Sequence, residues 1–209
     1  MKLIGVVLCL CLAAVATAAP TYQAALELYS QGQTEAGRKA FLEFIRANPQ
    51  NLATIGQQYP DTPFGEEIAF EQAAAIYFAG NWDGGQTALQ AFVTNHPDSP
   101  YRAMAQYYGA LTRYRANDAA GFDQAVQAYI QNYPNDPLIE ELRYNGATLP
   151  YNLGRPEEAL VALRQFRAQY PESNFGDDAQ NLIAESLNKL GDTQGFLDEV
   201  EDFRQHWPT

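Results

Sequence analysis

The chain is poor in the residues that do chemistry. Of its 209 residues, two are cysteine (Cys9 and Cys11) and two are histidine (His96 and His206). Both cysteines fall in an N-terminal apolar stretch. The remaining chain can form no disulfide, thiolate nucleophile or zinc–cysteine site. The histidines lie close to prolines that read as helix stops, and Tyr133 and Tyr170 hold comparable places elsewhere. That pattern suits a role at a helix end better than acid–base or metal chemistry. No G-x-S-x-G, phosphate-binding glycine loop or His-Glu-x-x-His occurs. No catalytic residue, cofactor or metal site is therefore expected. Basic residues are scarce too: 13 against 25 acidic ones, a net charge of −12. Nucleic acid and anionic lipid need basic patches and are poor candidates for partners. Strand signals are missing, with no sustained alternation and no Asn-Gly turn between apolar runs.

The N-terminus reads as a secretory leader. Lys2 supplies the positive start, Leu3 to Val15 form a short apolar run, and Ala16-Thr17-Ala18 offers a cleavage site. Residues 1–18 are expected to be removed, placing the chain in the periplasm or outside the cell. Leu8 and Leu10 precede the two cysteines, where a lipid-attachment signal wants a small residue, so an unlipidated product is expected. Membrane association would then come only through partners.

What the chain has in abundance is repetition. Pro60, Pro97, Pro134, Pro171 and Pro208 are spaced by 37 residues. Seventeen residues before the last four stand Gly80, Asn117, Gly154 and Gly191, and Gly32 stands so before Pro49. Gly and Asn tolerate the left-handed geometry that follows a helix end. The first unit thus carries 11 extra residues, Gln50 to Pro60, about three helical turns that could lengthen a helix without rotating its face. Seven before each turn residue stand Ala25, Ala73, Ala110, Ala147 and Ala184, marking close helix approach. Five before the closing prolines stand Phe44, Phe92, Tyr129, Phe166 and Phe203. Eight before stand Phe41, Leu89, Val126, Leu163 and Val200. The last two columns are three residues apart, as one helix face requires.

Each unit reads as two antiparallel helices. In the third, one runs from Pro100 to Arg115 and the other from Ala119 to Asn132. Pro150 should kink or shorten the first helix of the fourth unit, and Pro156 suits the first turn of the next. Between units, NHPDSPY (Asn95 to Tyr101) closes one helix at Pro97 and offers Ser99 as the next cap. Thr62, Asp136 and Ser173 repeat the device. The acidic pairs Glu66-Glu67, Glu140-Glu141 and Asp177-Asp178 suit first-turn positions, where negative charge favours the helix dipole.

These columns resemble the tetratricopeptide repeat. Tyr77-Phe78-Ala79-Gly80-Asn81-Trp82 closing at Pro97 carries the likeness, as does Tyr151-Asn152-Leu153-Gly154 with Ala159 and Pro171. The resemblance covers about residues 20 to 209. It implies an all-α, right-handed superhelical solenoid of about five helix-turn-helix repeats with units near 19–60, 61–97, 98–134, 135–171 and 172–209. The period of 37 rather than 34, and the Phe-x4-Pro endings, are similar to two cell-envelope families. One holds the D subunit of the outer-membrane β-barrel assembly machinery; the other holds the periplasmic coordinator of the Tol-Pal system. An adaptor binding protein partners of the envelope is implied. The rival expectation is an accessory subunit of a peptidoglycan or polysaccharide synthesis or export complex that contacts glycan.

In such solenoids the first helices line a groove. Here Tyr22, Phe70, Tyr107 and Tyr144 stand seven residues before Tyr29, Tyr77, Tyr114 and Tyr151, two turns along one face. Asn145 and Asn152 add polar groups, while Asn181 and Asn188 replace the rings in the fifth unit. The rings either form an aromatic groove for a partner peptide or helix, or pack between neighbouring helices. At the last repeat an open helix face makes a second copy a candidate partner.

Overall fold

The 37-residue rhythm is built as helix pairs. The computed structural model describes residues 20–59 and 61–206. The expected leader and its cleavage site, Pro60, and the closing Trp207-Pro208-Thr209 lie outside the described residues. Those residues form α1 (Tyr22–Ser30), α2 (Thr34–Ala47), α3 (Ile55–Gln58), α4 (Gly65–Phe78), α5 (Trp82–Asn95), α6 (Arg102–Arg115), α7 (Ala119–Asn132), α8 (Leu138–Asn152), α9 (Pro156–Gln169), α10 (Gly176–Lys189) and α11 (Thr193–His206), with a 3₁₀ turn at Pro49–Asn51. No strand occurs among the described residues, and no described helix is long and apolar enough to cross a membrane. The chain divides into two compact units, one ending at Ile68 and the other starting at Ala69.

Local chemistry explains where each helix starts and stops. Gly32, Gly80, Asn117, Gly154 and Gly191 all have φ between 57° and 81°. At each, the next residue's N–H reaches back five residues to close a six-residue loop, as from Asn81 to Ile76 (3.3 Å) and from Asp118 to Arg113 (2.9 Å). This closure satisfies carbonyls that a helix end would orphan. The second helices are then capped by Asn81, Asp118 and Asp192, which accept from the N–H groups of Gly84, Gly121 and Gly195 at 2.9–3.0 Å. At the joints, Thr62, Ser99, Asp136 and Ser173 each accept from the N–H two residues on, at 2.8–3.3 Å. This bond holds a tight turn, so α6 begins at Arg102 and not at Pro100. Pro150 does not shorten α8, which continues to Asn152.

The alanine column is buried throughout: Ala25, Ala73, Ala110, Ala147 and Ala184 are at most 5 % exposed. In the second unit, Leu89, Phe92, Val126, Tyr129, Leu163 and Phe166 are buried where second helices pack on first helices. Each buried side chain of this size is worth about 1.5–3 kcal/mol. The second helices α5, α7 and α9 each pack on the first helix of the following pair, and the first helices α6, α8 and α10 touch in succession. First helices thus form a continuous inner row.

The first unit departs from expectation. Its extra residues do not extend α2. Asn48 leaves the helix at φ −131°, and the segment folds as the 3₁₀ turn and one-turn α3. Ile55 is buried with Phe41, Ile45 and Phe64, and the Tyr59 ring stacks on Tyr22 at 3.7 Å. Burial of Ile55 and stacking of Tyr59 favour this folded-back path over a solvated helix extension. Glu67 differs as well: its first-turn carboxylate is fully buried, 3.0 Å from the Arg38 guanidinium.

Candidate functional site

The inner row of the second unit gathers most of the predicted residues. Its rings do two different jobs. Phe70 and Tyr107 are buried, and Tyr144 is half-buried. Phe70 stacks on Tyr101 at 5.2 Å, Tyr107 leans on Tyr129 at 6.4 Å, and Tyr144 stacks on Phe175 at 4.6 Å. This column packs neighbouring helices together. Burial raises the Tyr107 hydroxyl far above the ordinary tyrosine value, helped by the Glu141 carboxylate that accepts its hydrogen bond. Burial raises Tyr144 likewise, with Asp178 adding to it.

The second column, Tyr77, Tyr114 and Tyr151, makes a ladder of contacts at constant register. Each ring meets the residue 38 positions on. Tyr77 is hydrogen-bonded by Arg115, which counteracts part of the upward pull of burial on its hydroxyl. The Tyr114 hydroxyl accepts from Asn152 Nδ2 at 2.9 Å. Lys189 Nζ sits 3.5 Å over the Tyr151 ring, a cation–π arrangement. Two more links join the row: Tyr114 and Thr148 share a hydroxyl–hydroxyl bond of 2.9 Å, and Tyr151 donates to Glu185. Tyr77 is buried, whereas Tyr114 and Tyr151 are half-exposed. Asn152 is exposed; Asn145 is half-buried, and its carbonyl accepts from Thr148 at 3.0 Å.

The outward-facing column is therefore the residue after each tyrosine, Phe78, Arg115 and Asn152, with Lys189 after Asn188 at the same place on α10. Phe78 is 68 % exposed, with its ring edge-on to Tyr77 and Tyr108 at 5.1 and 5.3 Å. Phe78 and Tyr108 were not singled out by sequence, although the 37-residue step that aligns Phe78 with Arg115, Asn152 and Lys189 would have found the former. The strip runs from an aromatic end on α4 and α6 to an amide- and cation-bearing end on α8 and α10. Tyr22 and Tyr29 belong to the first unit, where both are half-buried. Tyr22 lies under Tyr59, and Tyr29 meets Phe64 edge-on at 5.4 Å.

His96 is stacked on Phe92 at 4.8 Å. The described residues contain no cluster of three potential metal ligands. The strip can offer apolar area, hydrogen bonds and two cations, Arg115 and Lys189, held against tyrosine rings.

Comparison with known proteins follows the same lines. A family model described as outer membrane lipoprotein YfiO matches residues 21–195. No curated protein matches the sequence. Among solved structures, the chain is similar to the tetratricopeptide-like repeats of a Podosopora anserina kinesin light chain, with 17 % identity, a TM-score of 0.53 and coverage of 88 % of this chain and 92 % of that one. It is also similar to MamA from Desulfovibrio magneticus RS-1, with 12 % identity, a TM-score of 0.51 and coverage of 88 % and 92 %. At such identities the likeness shows the fold: an all-helical solenoid of about five tetratricopeptide-type repeats.

Proposed function

The chain belongs to the YfiO family of outer membrane lipoproteins, and from that premise we propose that it is a non-catalytic adaptor of the bacterial cell envelope. The inner strip holds a segment of a partner protein during outer-membrane assembly or maintenance. One observation carries this reading: the ladder that ties Tyr77, Tyr114 and Tyr151 to the next first helix leaves Phe78, Arg115, Asn152 and Lys189 in one line facing outward. Rings pre-ordered by such contacts lose little entropy when a partner settles on them. Phe78 supplies a hot-spot anchor. Arg115 and Lys189 supply cations in a chain whose net charge is −12, which favours a partner segment carrying both an apolar group and acidic groups.

Photo-crosslinking in the native envelope tests the reading. A benzophenone side chain at Asn152 should capture a discrete envelope protein, and one at Val161, exposed on α9, should not. Phe78→Ala should abolish the Asn152 adduct while leaving the helical CD spectrum intact. Equal adducts at both positions would overturn the strip as the binding face. Capture of glycan in place of protein would transfer the strip to a polysaccharide or peptidoglycan complex.

A further inference from the structure

The last joint of the second unit is open. The second helices α5, α7 and α9 are each covered by the first helix of the following pair, whereas no described helix follows α11. The repeat columns show what this leaves bare. Leu89, Val126 and Leu163 are at most 4 % exposed, but Val200, at the same place on α11, is 36 % exposed. Leu197 is 52 % exposed. Its counterpart on α5, Gln86, accepts a hydrogen bond from Thr112 of α6, so this place on a second helix meets the helix that covers it. Beside these residues a groove of about 270 Å³ lies between α10 and α11, lined by Val200, Phe203 and Asn181 and by Asp177 and Asp178 from the first turn of α10.

The closed joint one repeat earlier describes the occupant. There α10 covers α9 with Phe175, Ala179, Ile183 and Leu187, four residues apart. Phe175 leads the helix in, stacked on Tyr144 at 4.6 Å, and Ser173 just ahead of it donates to Glu140 at 2.6 Å. At the open joint, Asn181 stands in the place of Tyr144 and Asp177 in the place of Glu140, and both are exposed. Contacts that step by 37 or 38 residues keep successive first helices parallel. A helix laid over α11 in the same way brings the positive end of its dipole to Asp177 and Asp178. Burial and the Asp177 charge already raise the Asp178 carboxyl above its ordinary value, so a cation beside the pair is favourable. Arg204 is the one basic residue lining the groove. Against it stand these two aspartates and Glu199, the last already paired with Arg164 and Arg167.

We propose that the α10–α11 face binds an amphipathic helix of a partner protein, with a large apolar residue at its start, a small and then larger apolar residues at four-residue steps, and Lys or Arg in its first turn facing Asp177 and Asp178. A second copy of this chain answers that description poorly. Its α1, the first helix that no described second helix precedes, carries Glu27 and no basic residue. The face shares no residue with the line of Phe78, Arg115, Asn152 and Lys189, and the proposal does not rest on that line.

Amide NMR of the ¹⁵N-labelled full chain tests it with two synthetic peptides. One copies residues 173–189, the helix that covers α9; the other is the same peptide with Asp177→Lys and Asp178→Lys. The lysine peptide should shift the Asn181, Leu197 and Val200 amides saturably, with Kd on the order of 0.1–1 mM for so short a helix. The unaltered peptide should bind about tenfold more weakly, since two attractions become two repulsions. Asp177→Asn with Asp178→Asn in the chain should bring the two affinities together. Val200→Asp should abolish binding with the helical CD spectrum intact. If that variant misfolds, Leu197→Asn, at a side chain already exposed, should weaken binding about tenfold. Light scattering of the chain alone at about 100 μM should give a monomer. A dimer broken by Leu197→Asn would give the face to a second copy and overturn the proposal. So would no saturable shift up to about 2 mM, equal affinity of the two peptides for wild type, or binding that survives Leu197→Asn unchanged.

Discussion

Close helix approach in this repeat rests on missing Cβ atoms, and alanine substitution of selected glycines should show it with opposite signs. Gly37 sits in α2 against α1. A Cβ there would lie 2.8 Å from the Tyr29 nitrogen, 2.9 Å from the Ala25 oxygen and 2.9 Å from the Tyr29 Cβ. These neighbours are backbone or backbone-tethered and cannot rotate away. Overpacking of this kind costs about 1–3 kcal/mol, while replacing Gly by Ala inside a helix returns about 0.8–1 kcal/mol. Gly37→Ala should therefore be destabilising on balance, by up to about 2 kcal/mol. Gly109 in α6 is the converse case: its nearest outside atom is the flexible Gln86 Oε1 at 3.9 Å, so Gly109→Ala should gain nearly the whole propensity term. Gly85 lies between them, its Cβ 3.2 Å from the Tyr77 Cα, and should be close to neutral. Urea denaturation followed by far-UV CD measures all three. With a slope of about 1–3 kcal/mol per molar, Gly37→Ala and Gly109→Ala should differ in midpoint by roughly 1 M. A Gly37→Ala midpoint at or above wild type would refute the close-approach argument.

Three further outcomes are expected. Arg38→Ala should cost about 3 kcal/mol, the lower end for breaking a buried pair because Arg38 is partly exposed. Arg38→Leu with Glu67→Leu should recover most of that in the same denaturation assay. Tyr77, Tyr107, Tyr129 and Tyr144 all have hydroxyls raised above the ordinary value of 10.0, chiefly by burial. The folded state keeps these protons where the unfolded state loses them, so their contribution is intact below pH 10 and declines as pH rises above it. Absorbance at the tyrosinate band should then show four of the 13 tyrosines titrating late, in step with loss of helix. Thirteen ordinary titrations with helix intact would contradict their burial. Finally, intact-mass measurement of the chain from the envelope should give an unacylated product starting at Ala19. An acylated N-terminal cysteine would show instead that the leader carries a lipid-attachment site.

The period of 37 was decisive because helix ends are local. A left-handed residue, a six-residue closure and a side-chain cap need nothing beyond a dozen neighbouring residues. Gly32, Gly80, Asn117, Gly154 and Gly191 could therefore be placed from sequence. Ser99, Asp136 and Ser173 were legible as polar joints but not as caps: each holds a turn, and the helices that follow have Tyr101, Pro137 and Phe175 at their N-cap positions, with no side-chain cap. The alanine column was legible for a related reason: close approach recurs at the same helical position in every pair. The eleven-residue insertion was not. Its length fits a longer helix, but its path is set by Tyr59 stacking on Tyr22, 37 residues earlier, and by Ile55 joining the cluster around Phe41.

The candidate site divides in the same way. Sequence alone determined which rings share a helix face, because two turns always separate Tyr107 from Tyr114 and Tyr144 from Tyr151. It could not determine which of those rings are covered, since that depends on the neighbouring helix. Tertiary packing buries Phe70, Tyr77 and Tyr107 and leaves Phe78 exposed one residue further on. It also brings Arg38 to a buried Glu67 and sets the Phe122 ring against Gly146. Periodicity fixes angles about a helix axis, whereas burial depends on the volumes of residues facing each other across a joint, such as Phe122 and Leu142.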